Sequence, residues 1–157
     1  MKQKIVLLVN DQEWPVEVEP YLTLAECLRE KLALTGVRVS CNQGDCGACT
    51  VLLDGEPVYS CMTLAVEAAG RRITTIEGLA QEGQLHPLQQ AFMDNHGMQC
   101  GYCTPGMILA AKALLNRNPH PTEPEIKEGL AGNLCRCGSY QKIIKSVTAA
   151  AEVMEGS

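Results

Sequence analysis

The sequence has no basic run, no apolar stretch long enough to cross a bilayer, and only three histidines, at positions 86, 96 and 120. Without clustered Lys or Arg, and with a net charge of −5, it lacks the electrostatic footprint of a nucleic-acid binder or of a protein drawn to anionic membrane. Mild acidity leaves docking to a basic patch on a partner open. The apolar run Ile5–Val9 is closed by Asn10 and Asp11, too short for a span or an export signal. Arg71-Arg72 lies mid-chain, where it reads as no export signal. The scattered histidines are expected to face solvent, and no nucleophile, general base or substrate pocket is legible, so no catalytic residue is expected. Lys127, Lys142 and Lys145 fall on helix faces expected to be solvated or to dock a partner.

The chain does have nine cysteines in 157 residues. A length of this order buries enough surface to fold without staples. With no export signal legible, the thiols are expected to be metal ligands in a reducing, cytoplasmic compartment. Cys41, Cys46 and Cys49, followed by Cys61, have the C-x4-C-x2-C…C spacing of a plant-type [2Fe–2S] site. Gly44 and Gly47 let one short loop wrap closely, because glycine reaches positive φ and brings N–H groups toward sulfur. Disulfides fit these glycine-spaced thiols, three of them in one short loop, poorly. Structural zinc usually takes two paired knuckles, which this is not.

Around that loop the pattern is of short strands. Lys4–Val9 and Glu13–Val18 predict a hairpin, the second strand alternating Trp14, Val16 and Val18 against Glu13 and Glu17. Thr23 and Glu26 form a capping box for a helix to about Lys31, with Leu24, Cys27, Leu28 and Leu32 on one face. Cys27 is therefore expected in the core rather than on a metal. Thr50–Leu53, a turn at Asp54-Gly55 and Val58-Tyr59 predict a second hairpin that delivers Cys61. Thr63–Ala68 reads as a short helix and Ile73–Ile76 as a last strand.

Residues 77–86 read as a linker between a domain at 1–76 and one at 87–157. Beyond it the period becomes helical. Helices are predicted from Pro87, from Thr104-Pro105 with Thr104 as N-cap, from the capping box Thr122/Glu125, and from Ser139 as N-cap, giving a four-helix bundle. Two cysteine pairs, Cys100/Cys103 and Cys135/Cys137, precede the second and fourth of these helices. Thiols at helix N-termini gain acidity from the dipole and suit an anionic cluster. Spacing alone leaves iron–sulfur, zinc and redox thiols open here.

The segments Cys100-Gly101-Tyr102-Cys103-Thr104-Pro105-Gly106-Met107, Gly132-Asn133-Leu134-Cys135-Arg136-Cys137 and Gly44-Asp45-Cys46-Gly47-Ala48-Cys49-Thr50-Val51 resemble the two-cluster motifs of the molybdenum hydroxylases. That family includes xanthine dehydrogenase, aldehyde oxidoreductase and bacterial carbon monoxide dehydrogenase. The resemblance covers nearly the whole chain. It implies an α+β fold: an N-terminal β-grasp ferredoxin domain followed by a helical bundle. It implies two [2Fe–2S] clusters, one on Cys41, Cys46, Cys49 and Cys61, the other on Cys100, Cys103, Cys135 and Cys137. It further implies that Gln99 and Cys137 contact a molybdopterin held by a large partner subunit, and that a medium subunit carries FAD. The chain would then be the electron-transfer subunit of an oxidoreductase that hydroxylates an aldehyde, purine or N-heterocycle. Gly138-Ser139 stands where many members have Thr-Gly, which leaves the substrate branch and the cap of the last helix open. The other readings are a free-standing two-cluster electron carrier and a zinc-binding interaction module.

Overall fold

The computed structural model describes residues 1–156. Five strands form one mixed sheet: β1 (Gln3–Val9), β2 (Gln12–Val18), β3 (Thr50–Leu53), β4 (Glu56–Tyr59) and β5 (Arg72–Thr74), in the order β2-β1-β5-β3-β4. β1 runs antiparallel to β2 and parallel to β5, and β3 runs antiparallel to both β5 and β4. The two edge strands each carry a proline, Pro15 in β2 and Pro57 in β4, positions where a missing N–H costs the ladder least. Both hairpins turn through two consecutive residues at positive φ: Asn10 and Asp11 in the first, Asp54 and Gly55 in the second. That is the turn whose twist matches paired strands.

The helix across the sheet is α1 (Leu24–Glu26), continued by a wider turn over Cys27–Lys31. Its capping box is present: Glu26 N–H donates to Thr23 Oγ1, and Thr23 N–H donates to Glu26 Oε2. The hydrogen bond of Leu32 N–H to Cys27 O, at 3.3 Å, spans one residue more than an α-turn. Cys27 is 0% exposed among Leu7, Leu24, Leu28 and Ile73, a core thiol as its helical position predicted.

Four helices follow: α2 (Pro87–Asp94), α3 (Thr104–Arg117), α4 (Glu123–Gly129) and α5 (Tyr140–Glu155). Their core joins Leu88, Phe92, Met107, Ile126, Ile143 and Val147, and it reaches into the sheet through Leu52 of β3. Residues 77–86 are not a loose tether. Leu79 is buried in the helical core, Gln81 and Gln84 exchange two backbone hydrogen bonds, and Gly36 N–H donates to Glu77 Oε2.

Several local expectations shift. The last strand is Arg72–Thr74, since Ile76 opens a short 3-10 turn. The segment at 63–68 is helical only over Ala65–Ala68, again as a 3-10 turn. Thr104 is the first residue of α3 and Cys103 its N-cap, so the Thr104 hydroxyl caps nothing. His86 is half-buried rather than solvent-facing, because its ring caps α2 by accepting from Leu88 N–H at 3.2 Å. His96 and His120 are exposed, as expected.

Candidate functional site

The first cysteine loop lies between α1 and β3 and is held open by backbone rather than side chains. Gly44 and Gly47 have φ of +81° and +72°. That conformation turns successive N–H groups inward: Asp45 N–H and Cys46 N–H donate to Cys41 Sγ at 3.3 and 3.4 Å, and Ala48 N–H donates to Cys46 Sγ at 3.5 Å. The N–H groups of Gln43, Cys46 and Asp45 hold the Cys41 thiol down at about 6. Cys61 arrives from the turn after β4, where burial, then the neighbouring Cys49 thiol, pushes it up to about 11. The four thiols fall into two pairs within hydrogen-bonding reach, Cys41 with Cys46 and Cys49 with Cys61.

The second set sits where the loops before α3 and α5 meet. Cys100 pairs with Cys137 and Cys103 with Cys135. Backbone donation from Tyr102 lowers the exposed Cys100 thiol, whereas burial drives Cys103 up to about 12. At Cys135 burial raises the thiol, but donation by the N–H groups of Ser139, Cys137 and Gly138, with the Cys103 thiol, outweighs it. Ser139 heads α5 but makes no side-chain cap. Tyr140 instead accepts from Cys135 N–H at 2.8 Å and pins the loop. Gln99, Cys100 and Cys137 are exposed, as are Tyr102, Leu134 and Tyr140, and Cys100, Tyr102, Leu134 and Tyr140 line one cleft. Among the described residues no three His, Cys, Asp or Glu side chains are placed to hold a single metal ion.

The two loops are fastened to each other, which the spacing of cysteines did not announce. Leu134 N–H donates to Cys46 O at 2.9 Å. Asn133, 6% exposed, donates through Nδ2 to Gly47 O at 3.0 Å and to Thr50 Oγ1 at 3.2 Å. Tyr59 Oη donates to Gly132 O at 2.8 Å, and Tyr102 Oη donates to Val39 O at 2.7 Å, with the Arg38 guanidinium 5.4 Å from the Tyr102 ring centroid. Gly47, Gly106 and Gly132 meet backbone to backbone or against Tyr59, with no room for a Cβ. The sequence placed Asn133 in a motif but gave it no role. An Asn between Gly and Leu is the available signal for a backbone clamp.

Comparison with known proteins extends this picture. Residues 7–76 match the family described as 2Fe-2S iron-sulfur cluster binding domain, and residues 75–148 the one described as [2Fe-2S] binding domain. A probable xanthine dehydrogenase component of Bacillus subtilis (strain 168) is 50% identical over 145 residues, covering 92% of this chain and 83% of that protein. The nicotinate dehydrogenase small FeS subunit of Eubacterium barkeri is 48% identical, covering 96% of each. A chain of quinoline 2-oxidoreductase from Pseudomonas putida 86 superposes with a TM-score of 0.95 at 44% identity, over 99% of this chain and 98% of that one. Aldehyde oxidoreductase from Desulfovibrio gigas superposes at 0.93 with 43% identity, covering 98% of this chain but 17% of that longer one. Two [2Fe–2S]-binding regions in one chain, and relatives this similar along nearly its whole length, place it: the chain belongs to the family of small [2Fe–2S] iron–sulfur subunits of the molybdenum hydroxylases.

Proposed function

We propose that the chain holds one [2Fe–2S] cluster on Cys41, Cys46, Cys49 and Cys61 and a second on Cys100, Cys103, Cys135 and Cys137, and links a molybdopterin subunit to a FAD subunit. The observation that carries this is the two-plus-two arrangement of each thiol set, which suits two irons with two thiolates each. The fit extends to the surroundings. Backbone N–H groups already donate to Cys41 and Cys46 sulfur, the donor set contains no competing carboxylate or imidazole, and the buried Thr104 hydroxyl beside Cys103 lacks a protein partner.

When bound, a [2Fe–2S] cluster takes up and gives back one electron. The work of this chain's residues is to place the two sites and bias them. N–H donation to Cys41 and Cys46 stabilises charge on sulfur, as donation from Ser139 and Cys137 does at Cys135. The Leu134 N–H to Cys46 O bond and the Asn133 clamp fix the separation of the loops. The exposed Gln99 and Cys137 face outward, where they would meet the pterin of a large subunit. The sheet with its crossing helix is the β-grasp ferredoxin arrangement over 1–76, residues 77–86 connect, and the described residues from 87 to 156 make the four-helix bundle. The named relatives act on xanthine, nicotinate, quinoline and aldehydes, so the partner's substrate is an aldehyde, a purine or another N-heterocycle, in the cytoplasm.

Iron and acid-labile sulfide analysis with low-temperature EPR after dithionite reduction tests the reading. Four irons per chain and two distinguishable S = 1/2 signals are expected. Two irons with one signal would remove the second set of ligands, and with it the contact to a pterin. Zinc without iron would replace the proposal with a zinc module.

A further inference from the structure

His86 and Lys112 meet outside both cysteine sets, in a cleft of about 620 Å³ bounded by Asp11, Arg72, Leu79 and Glu82. The hydrogen-bond count at the pair does not balance. Leu88 N–H donates to His86 Nδ1 at 3.2 Å, so that nitrogen carries a lone pair. A neutral imidazole has one lone-pair nitrogen and one N–H, which puts the proton on Nε2. Lys112 Nζ lies 3.3 Å from that Nε2. An ammonium and a ring N–H therefore point at each other with no acceptor between them. No carboxylate among the described residues lies within ion-pair distance of Lys112. Asp11 is engaged by Arg72 Nε at 3.7 Å, and Glu82 lies exposed on the rim.

We propose that Lys112 and His86 form a seat for an oxyanion, a carboxylate or phosphate oxygen that accepts from Lys112 Nζ and His86 Nε2–H together. One such oxygen satisfies both donors and lets Lys112 keep its charge while half-buried. The charges around the cleft cancel (Arg72 and Lys112 against Asp11 and Glu82), so selection rests on the two converging donors and not on a general positive field. Burial first, and then the facing Lys112 charge, holds the His86 ring down at about 4. An anion in the seat reverses the second of these influences.

The test follows the His86 ring by NMR of the oxidised, cluster-loaded chain with labelled histidine, titrated with inorganic phosphate at constant ionic strength set with chloride. The expected result is a saturable upward shift of the His86 midpoint by a unit or more, with exposed His96 and His120 unmoved. Lys112→Met should abolish the saturable response and Lys112→Arg should keep it. The two sources of the oxygen separate in the assembled complex. A midpoint already raised there without phosphate assigns the seat to a carboxylate of a neighbouring subunit, and a midpoint raised only by phosphate assigns it to a free anion. A wild-type chain with no saturable shift, and the same midpoint free and assembled, overturns the proposal. So does a response that appears only in Glu82→Gln, which would make Glu82 the occupant.

Discussion

Gly106→Ala pits helix propensity against backbone contact, and the magnitudes decide the sign. Gly106 lies in the first turns of α3 with ordinary helical φ, so alanine would gain about 1 kcal/mol of helix propensity. Its Cβ, however, would sit 2.6 Å from Gly47 O and 3.2 Å from Ala48 O. Neither atom can retreat cheaply. Gly47 O accepts from Thr50 N–H at 3.1 Å, Thr50 Oγ1 at 2.7 Å and Asn133 Nδ2 at 3.0 Å. Overpacking of this kind costs about 1–3 kcal/mol, so the net effect is destabilising, by up to about 2 kcal/mol. It should also move the 41–49 loop, because the clash falls on that loop rather than inside α3. Gly129→Ala in α4 is the matched control. There the atoms nearest the added Cβ all belong to the Leu114 side chain, Cδ2 at 3.0, Cδ1 at 3.2 and Cγ at 3.4 Å, which yields more easily than a hydrogen-bonded carbonyl. The assay is the rate of loss of visible cluster absorbance on heating, with EPR of the reduced protein. Gly106→Ala should bleach faster than wild type with an altered signal from the first cluster, and Gly129→Ala should match wild type or outlast it. A Gly106→Ala protein as durable as Gly129→Ala, with an unchanged spectrum, would refute the reasoning.

Asn133→Ala should cost about 1–2 kcal/mol, since Gly47 O keeps two other donors, whereas Asn133→Asp should cost about twice that by turning an unpartnered carboxylate oxygen on Gly47 O; equal cluster-loss rates for the two would contradict the donor role of Nδ2. In the cluster-free chain at pH 7, Cys41, held at about 6, should be mostly thiolate and alkylate first, while Cys103, pushed up to about 12, should alkylate last of the eight cysteines outside the core; site-resolved mass spectrometry with the order of Cys41 and Cys103 reversed would discard the N–H assignment around Cys41. The His86 ring is held at about 4 in the fold against about 6.5 in an unfolded chain, so the unfolded state takes the proton first and stability falls as pH drops from about 6.5 to about 4. His86→Asn, which can still cap α2, should flatten that slope of denaturation midpoint against pH, and an unchanged slope would place the acid sensitivity elsewhere.

Elements fixed by local chemistry were legible in the sequence. The Thr23/Glu26 and Thr122/Glu125 capping boxes, the Asp54-Gly55 turn and the helical stripe of α3 all stand where pattern put them. The failures share one cause: partners distant in the chain. Thr104 looked like an N-cap beside Pro105, but the loop carrying Cys100 and Cys103 folds so that Cys103 takes the cap position and buries the hydroxyl. His86 looked like a loop histidine because its value depends on Leu88 N–H and on Lys112, 26 residues on. Within the linker read at 77–86, a pattern of glycine and polar residues does not show that Leu79 reaches the helical core. The spacing of the cysteines was readable because it is local within each loop. Their assembly into paired sets from separate loops, such as Cys103 with Cys135, needed the fold.

The clamp between the loops changes what the two cysteine sets are to each other. Were they independent sites on two tethered domains, their separation would vary with the linker. Instead Leu134, one residue before Cys135, donates to the carbonyl of Cys46 itself, and Asn133 reaches the carbonyl of the next residue, Gly47. A displacement of either loop must break a buried hydrogen bond or drive Gly47 against Gly132, where no Cβ fits. The three glycines at this contact are therefore a condition of the distance between the sites as much as of either loop's shape. Tyr59 and Tyr102 tie the periphery of the same contact through Gly132 O and Val39 O. Rigidity here rests on short polar bonds to backbone rather than on apolar area, which is why it sits beside thiols that must remain close to the surface, with Cys100 and Cys137 exposed.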